Sequence, residues 1–228
     1  GVSGIKGQII GPISFGMNIT DLNRKSIIYD EMYKDVIIKN IQFKVKWMER
    51  ELKRICKNTV IFVDEPYLSA FGSAFFNLSH QEVVNMLNSV YDIIEGLSGT
   101  HCCGNTNWSL LLDSNVDMIS LDAFAFSDNL LIYTDKVKSF LDRGGRFAWG
   151  IVPTDGDLII RQTPDLIFNK LKSVFNRLSE NNVPLNKLAE ASIITPSCGV
   201  GLLSFEHAEM CFNYTQEVSR LIKKEFAL

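Results

Sequence analysis

The sequence predicts an α/β protein built on a parallel sheet. Strand-length apolar runs rich in β-branched residues alternate with runs of helical periodicity along all 228 residues. No linker rich in glycine, serine or proline interrupts this alternation, and 46% of the residues are hydrophobic. A chain of this length and composition can bury a substantial core, so we expect residues 1–228 to form a single domain.

Six strands are predicted, each followed by a helical segment. They lie at Lys6–Ser14, Thr59–Val63, Gly99–Cys103, Met118–Leu121, Arg146–Ile151 and Ser192–Thr195. Six strand–helix units are two fewer than a closed (β/α)8 barrel requires. Either the sheet is open, or two units are missing from the N-terminal side. The start at Gly1, almost directly in a strand, suggests a fragment.

The helices are predicted from apolar spacing and from end signals. The first long helix carries apolar residues every three or four positions: Ile37, Ile41, Val45, Met48, Leu52 and Ile55. Ser79 and Glu82 form a capping box at the start of the next. Thr163 followed by Pro164 is a cap with proline at the first helical position. The last helix is predicted from Ala208, Cys211, Thr215, Val218 and Ile222.

Composition narrows the classes of partner and compartment. The formal net charge of −3 argues against nucleic acid or an anionic membrane surface as the main partner. No apolar run reaches the length of about 20 residues that a membrane helix needs, and no secretion signal opens the chain. The five cysteines, an odd number, favour a reducing cytoplasm over a disulfide framework.

Polar residues that could perform chemistry follow the predicted strands. They are Asp64-Glu65-Pro66, His101, Cys103, Asp122, Pro153-Thr154-Asp155 and Cys198. Active sites of parallel α/β proteins lie at the carboxyl ends of the strands, so these residues are expected around one site. Asp64 and Asp122 have a simpler alternative, because each could cap the helix that follows its strand.

His101, Cys103 and Cys198 predict a zinc site. Side chains at i and i+2 of a strand share a face, so His101 and Cys103 can converge while Cys102 points away. One imidazole and two thiolates suit zinc, and three protein ligands leave one position open for chemistry. The alternative is a turn histidine beside a buried thiol. We expect Cys56, Cys102 and Cys211 to be buried. The other histidines, His80 and His207, are expected at helix starts in surface or capping roles.

The strand-end motifs resemble a known family. Val63-Asp64-Glu65-Pro66, His101-Cys-Cys103, Ser120-Leu-Asp122 and Pro196-Ser-Cys-Gly199 are similar, in this order, to motifs of the cobalamin-independent methionine synthase barrel. The wider superfamily includes uroporphyrinogen decarboxylase and the corrinoid:thiol methyltransferases. His101-Cys-Cys-Gly-Asn-Thr106 resembles a segment of the corrinoid-dependent members, and Lys6-Gly-Gln-Ile-Ile-Gly-Pro12 resembles the third-strand segment of the synthases.

The resemblance implies a (β/α)8 barrel of TIM type that lacks its first two units in this chain. It implies zinc bound by His101, Cys103 and Cys198, with Asp122 at the place of the family's fourth ligand. It also implies that Asp64 binds the amino group of homocysteine. Folate-using members carry a histidine after the seventh strand, whereas Ala148–Thr154 has none. This difference favours a methylcorrinoid, such as methylcobalamin, over methylfolate as the methyl donor.

The expected function is therefore zinc-dependent transfer of a methyl group to a thiol, most simply homocysteine, to give methionine. A corrinoid protein is an expected partner, and an open sheet edge would favour a homodimer. Three alternatives remain open: a catabolic corrinoid:thiol methyltransferase, a protein like uroporphyrinogen decarboxylase, and an inactive metal-binding fragment.

Overall fold

The computed structural model describes residues 2–228. Its strands are β1 (Ile5–Ile10), β2 (Thr59–Asp64), β3 (Leu97–Cys102), β4 (Met118–Leu121), β5 (Arg146–Val152) and β6 (Ser192–Pro196). Its α-helices are α1 (Pro12–Asn18), α2 (Glu31–Lys53), α3 (His80–Tyr91), α4 (Ser109–Leu112), α5 (Ala123–Phe126), α6 (Thr134–Asp142), α7 (Gly156–Ile159), α8 (Pro164–Glu180), α9 (Leu185–Glu190) and α10 (Phe205–Phe226). Three 3-10 helices span Ile27–Tyr29, Pro66–Ala70 and Ser127–Tyr133.

The strands form one six-stranded, all-parallel sheet in the order β1-β2-β3-β4-β5-β6. This order confirms the predicted α/β class with a parallel sheet. It follows the chain without the reversal that characterises doubly wound sheets, and it is compatible with a fold like a TIM barrel. The residues fall into two compact units, one reaching to Cys102 and including Thr106–Ile119, the other comprising Cys103–Asn105 and Ser120–Leu228.

The strand bounds agree with the sequence predictions to within two residues, except at the end of β1. The predicted strand continued to Ser14, but β1 ends at Ile10 and α1 begins at Pro12. The physical reason is the proline itself, which has no N–H to donate to a ladder and whose fixed φ suits the first turn of a helix. β3 begins two residues earlier than predicted and ends one residue earlier, at Cys102.

In the first unit, α2 contributes buried apolar residues to the core. The predicted apolar face of α2 is confirmed at Ile37, Ile41 and Val45, which are buried. The predicted apolar face continues to Ile55, however, whereas α2 ends at Lys53. Ile55 is exposed and Cys56 is only half-buried, so the expectation of a buried Cys56 was wrong.

Glycine at position 7 of β1 allows α2 to pack closely. A β-carbon placed there would lie 2.5 Å from the Sδ atom of Met48 and 2.8 Å from a methyl group of Leu52. The face of β1 that carries Gly7 is therefore covered by α2. The alternate residues of the strand, which include Lys6 and Gln8, project from the opposite face.

The second unit has an aromatic core on β5. Phe147 packs against Phe140 of α6 with ring centroids 5.1 Å apart, and Trp149 packs against Phe175 of α8 at 5.3 Å. Such pairs contribute about 0.5–1.5 kcal/mol each beyond the area they bury. The Trp149 indole N–H donates to the Ser192 hydroxyl at 2.8 Å, which links β5 to β6.

The predicted helix starts are confirmed by their hydrogen bonds. The Ser79 hydroxyl accepts from the Glu82 backbone amide at 3.3 Å, and the Glu82 carboxylate accepts from the Ser79 amide at 2.8 Å. Thr163 caps α8, and Pro164 occupies the first turn. No helix within residues 2–228 is long and apolar enough to cross a membrane.

Candidate functional site

The carboxyl end of β2 carries a carboxylate that a side chain of β1 holds in place. β1 and β2 pair in parallel, with Gln8 opposite Phe62 and Ile10 opposite Asp64. Because alternate residues share a face, Lys6, Gln8 and Asp64 project from the same side of the sheet. The Gln8 amide N–H donates to Oδ2 of Asp64, and the Gln8 amide oxygen accepts from the Lys6 ammonium at 3.0 Å.

The second carboxylate oxygen of Asp64 accepts no hydrogen bond from the described residues. Its Oδ1 atom is buried and has no hydrogen-bond partner among residues 2–228. A buried carboxylate oxygen without a donor is costly, because burial removes water and nothing replaces it. Asp64 therefore does not serve as a helix cap, the alternative suggested by its position.

Lys6 lies close to this carboxylate without forming an ion pair. Its Nζ atom is 4.2 Å from the centre of the Phe62 ring, within the range of a cation–π contact. No Asp or Glu in the described part of the chain forms a salt bridge with it. Partial burial lowers the Lys6 pKa from its ordinary value, and the Asp64 charge opposes that change.

Glu65, the residue after Asp64, is fully buried and caps a distant helix. Its carboxylate accepts from the backbone amides of Ile13 at 2.9 Å and Ser14 at 2.7 Å, the second and third residues of α1. The N-cap position of α1 is Gly11, which has no side chain to perform this task. A β-carbon at Gly11 would lie 2.2 Å from the Glu65 carboxylate, so glycine there makes room for the cap.

Burial also changes the ionisation of Glu65. Desolvation raises the pKa of Glu65 to about 7, and the neighbouring Asp64 charge adds to the rise. Hydrogen bonds from the Ser14 hydroxyl and the two backbone amides oppose it. The sequence predicts a site at Asp64-Glu65-Pro66 but gives Glu65 no separate role. The signal that could have found it is the Gly11-Pro12 pair, which starts a helix without a capping side chain.

The end of β3 carries two of the predicted zinc ligands. His101 is half-buried with its Nε2 atom buried, Cys102 is buried, and Cys103 is exposed. The burial of Cys102 confirms that prediction. Cys103, however, follows the last residue of β3 instead of lying within it. The alternation of strand side chains therefore no longer fixes its direction relative to His101.

Cys198 follows β6 in the second unit and is exposed. The preceding residue, Ser197, is buried, and its hydroxyl accepts from the Thr154 amide at 3.2 Å. The chain passes close to β5 there, since a β-carbon at Gly150 would lie 2.7 Å from the Ser197 Cα atom. The position of Cys198 is thus set by a buried, hydrogen-bonded neighbour.

The two strand-end aspartates of the second unit are helix caps. Asp122 directly follows β4 and accepts from the Ala125 amide at 2.9 Å, at the start of α5. Asp155 accepts from the Leu158 amide at 2.9 Å, at the start of α7. The capping alternative therefore describes Asp122. A metal-binding role for its carboxylate stays a prediction.

The described residues do not present an assembled metal site. No group of three or more His, Cys, Asp or Glu side chains within residues 2–228 could hold a metal ion. His101 belongs to the first unit, whereas Cys103 and Cys198 belong to the second. The donor chemistry of these three side chains fits zinc, but the ligand set stays a prediction.

The remaining cysteine and the other histidines lie where the sequence suggested. Cys211 is buried, and burial raises the pKa of its thiol. His80 is the first residue of α3, and its Nε2 atom lies 3.2 Å from the Asp113 carboxylate. His207 lies in the first turn of α10, where its backbone amide donates to the Ser204 hydroxyl. We assign none of them to the candidate site.

Comparison with known families and with curated proteins found no match. No model of a known protein family matches the chain. No curated protein has a significantly similar sequence. The resemblance to the methionine synthase barrel therefore rests on the strand-end motifs alone, and the functional argument rests on the side chains described above.

Proposed function

We propose that this protein transfers a methyl group to the sulfur of a small thiol that also carries an ammonium group. Homocysteine is the simplest such acceptor, and a methylcorrinoid is the proposed donor. The observation that carries the proposal is the buried Oδ1 atom of Asp64, which has no donor within residues 2–228. A substrate ammonium group supplies the charged donor that this oxygen lacks.

Gln8 and Glu65 would act as positioning residues for the substrate ammonium. Gln8 fixes the Asp64 carboxylate through its other oxygen, and Glu65 ties the same end of β2 to α1. Both contacts reduce the freedom of Asp64 before substrate binds, which lowers the entropy cost of binding.

The acceptor sulfur would react as a thiolate at the ends of β3 and β6. Zinc held by His101, Cys103 and Cys198 would favour deprotonation of the substrate thiol in this site. The thiol proton passes to solvent, the sulfur–carbon bond forms, and the bond from the methyl group to its donor breaks. The donor keeps the electron pair of the broken bond, so a methylcorrinoid needs no proton from the protein. This requirement agrees with the lack of a histidine in Ala148–Thr154.

We also propose that the sheet is part of a (β/α)8 barrel. The strand order, which follows the chain without reversal, supports this architecture. The candidate residues lie at or just after the carboxyl ends of strands, as active-site residues of such barrels do.

The first experiment is to measure the metal content of protein purified without added metal, by mass spectrometry. We expect about one zinc ion per chain, as for a single catalytic site, and loss of zinc in Cys103→Ser and Cys198→Ser. Cys56→Ser is the matched control, because Cys56 is also a free cysteine but lies outside the proposed ligand set. The same proteins are then assayed for methyl transfer from methylcobalamin to homocysteine.

The outcomes separate the proposal from its alternatives. Loss of both zinc and methyl transfer in the two variants, with the control unchanged, supports it. Full transfer with stoichiometric zinc in either variant overturns the ligand assignment. Absence of zinc, with no uptake on titration, would overturn the proposal. That result would favour the alternatives of a protein like uroporphyrinogen decarboxylase or an inactive fragment.

A further inference from the structure

The surface formed by Lys6, Gln8 and Asp64 carries opposite charges at its two ends. Lys6 contributes an ammonium group, Asp64 contributes a carboxylate, and the Gln8 amide lies between them. The Gln8 oxygen contacts the lysine and the Gln8 nitrogen contacts the aspartate. The two charges are therefore kept apart by the width of one amide group instead of forming an ion pair.

An α-amino acid has the complementary arrangement of charges. Its ammonium nitrogen and carboxylate carbon are two bonds apart, as are the oxygen and nitrogen of an amide. An amino acid lying along Gln8 would bring its ammonium to Asp64 and its carboxylate to Lys6. We propose that Lys6 binds the substrate α-carboxylate, so that Lys6 and Asp64 together select a zwitterionic amino acid. This inference rests on the proposed function and names the class of its thiol substrate.

Three observations support the assignment to Lys6. Its ammonium has one hydrogen bond, to the Gln8 amide oxygen, and no ion-pair partner in the described chain, so it has donors left for a ligand. Its contact with the ring of Phe62, which lies opposite Gln8 on β2, holds the ammonium over the neighbouring strand. Partial burial lowers the Lys6 pKa, and a ligand carboxylate would replace the hydration that burial removes.

The face of the sheet agrees with this role. α2 covers the opposite face of β1, and the partly buried Lys6 and its neighbour Gln8 keep solvent-accessible surface on the other face. Lys44, the other lysine of this unit that lies over an aromatic ring, is 5.7 Å from the centre of the Phe15 ring. Within residues 2–228 it makes no side-chain hydrogen bond to a glutamine or an acidic residue, and it therefore serves as a matched control.

The test uses ligands without sulfur, so it does not depend on methyl transfer. L-Norleucine carries both charges of an amino acid, pentylamine lacks the carboxylate, and hexanoate lacks the ammonium. Isothermal titration calorimetry of the intact protein should show norleucine binding roughly 10- to 100-fold more tightly than either analogue, the change expected for one charge-assisted contact.

Variants assign each charge to its residue. In Lys6→Met, norleucine should bind no more tightly than pentylamine, and pentylamine binding should not change. In Asp64→Asn, norleucine should bind no more tightly than hexanoate. Lys6→Arg should restore the preference for norleucine in part, and Lys44→Met should behave as the unaltered protein. Thermal unfolding of each variant checks that it is folded.

The results distinguish this inference from the proposed function. Unchanged norleucine binding in Lys6→Met, or no norleucine binding by the unaltered protein, overturns the inference. Methyl transfer to homocysteine whose KM is the same in Lys6→Met overturns it too, but leaves the methyltransferase proposal standing. Lys6-dependent norleucine binding without any methyl transfer supports the inference and overturns the methyltransferase proposal.

Discussion

Asp64 in the first unit is the last residue of β2 and Asp155 in the second follows β5, but the two have different roles. Asp155 accepts a hydrogen bond from the Leu158 amide and starts α7, and Asp122 does the same for α5. Asp64 instead accepts from the Gln8 side chain on the neighbouring strand and retains a buried oxygen without a partner in the described chain. Two of these three aspartates therefore cap helices, and the third does not.

The difference follows from the residues that come next. Asp122 and Asp155 immediately precede the first residues of their helices, where a short carboxylate reaches the free amides. After Asp64, the 3-10 helix begins at Pro66, so Glu65 occupies the capping position and Asp64 lies outside it. Glu65 makes no side-chain cap there and reaches α1 instead. Asp64 is therefore a better candidate for binding than Asp122 or Asp155, because one residue separates it from the helix start.

Removing Glu65 should have the largest effect on stability. Glu65→Ala leaves the amides of Ile13 and Ser14 buried without their acceptor, and should lower the free energy of unfolding by about 3–5 kcal/mol. Glu82→Ala is the control, because Glu82 also accepts from a backbone amide at a helix start but is exposed; it should cost about 1 kcal/mol. Urea unfolding monitored by circular dichroism measures both. Equal losses would show that the Glu65 cap has no special importance.

The free energy of unfolding should depend on pH because folding raises the pKa of Glu65. Its pKa rises from an ordinary 4.5 to about 7 on folding, so the folded state binds the proton more tightly than the unfolded state. The contribution of Glu65 is therefore greatest below pH 4.5 and decreases as pH rises to about 7, by on the order of 3 kcal/mol. Urea unfolding across this range should show the decrease, and Glu65→Gln should lack it. Parallel profiles for the two proteins would contradict the assignment.

Much of the fold could be predicted from local sequence because local signals determine it. The strand β4 was predicted to the residue, and the caps at Ser79 and Thr163 were identified, since alternation and capping depend on near neighbours. Two predicted bounds are wrong. The predicted first strand includes Pro12, although proline favours a helix start, and the predicted first long helix continues to Ile55, although α2 ends at Lys53.

The candidate site was only partly predictable. Asp64 was named from its position, but its bond to Gln8 joins residues 56 positions apart, and that of Glu65 to Ile13 joins residues 52 apart. Such contacts depend on which elements lie side by side in the fold, and local spacing in the sequence does not reveal this. The zinc set of His101, Cys103 and Cys198 likewise depends on positions set by two different strands, and it awaits the metal measurement.

The caps of the second unit should have a moderate effect. Asp155→Ala removes the acceptor for the Leu158 amide, and should lower the free energy of unfolding by about 1 kcal/mol. Asp155→Asn should retain most of this stability, because an asparagine oxygen also caps. Norleucine affinity should be unchanged in both variants. A loss of norleucine binding in Asp155→Asn would mean that the second unit, too, has an aspartate available to a ligand.

Asp64→Asn should have the smallest effect on stability and the largest on binding. The substitution weakens the bond from Gln8 and removes the attraction to Lys6, but it also removes a buried charge on an oxygen without a donor in the described chain. Because these contributions oppose each other, the free energy of unfolding should change by about 0.5 kcal/mol or less. Homocysteine and norleucine should nevertheless bind roughly 10- to 100-fold more weakly, since the ammonium loses its charged partner. Urea unfolding and calorimetry on the same preparation give both values. A stability loss above about 2 kcal/mol with unchanged affinity would make Asp64 a structural residue like Asp155, because that pattern marks a group whose partners lie within the protein.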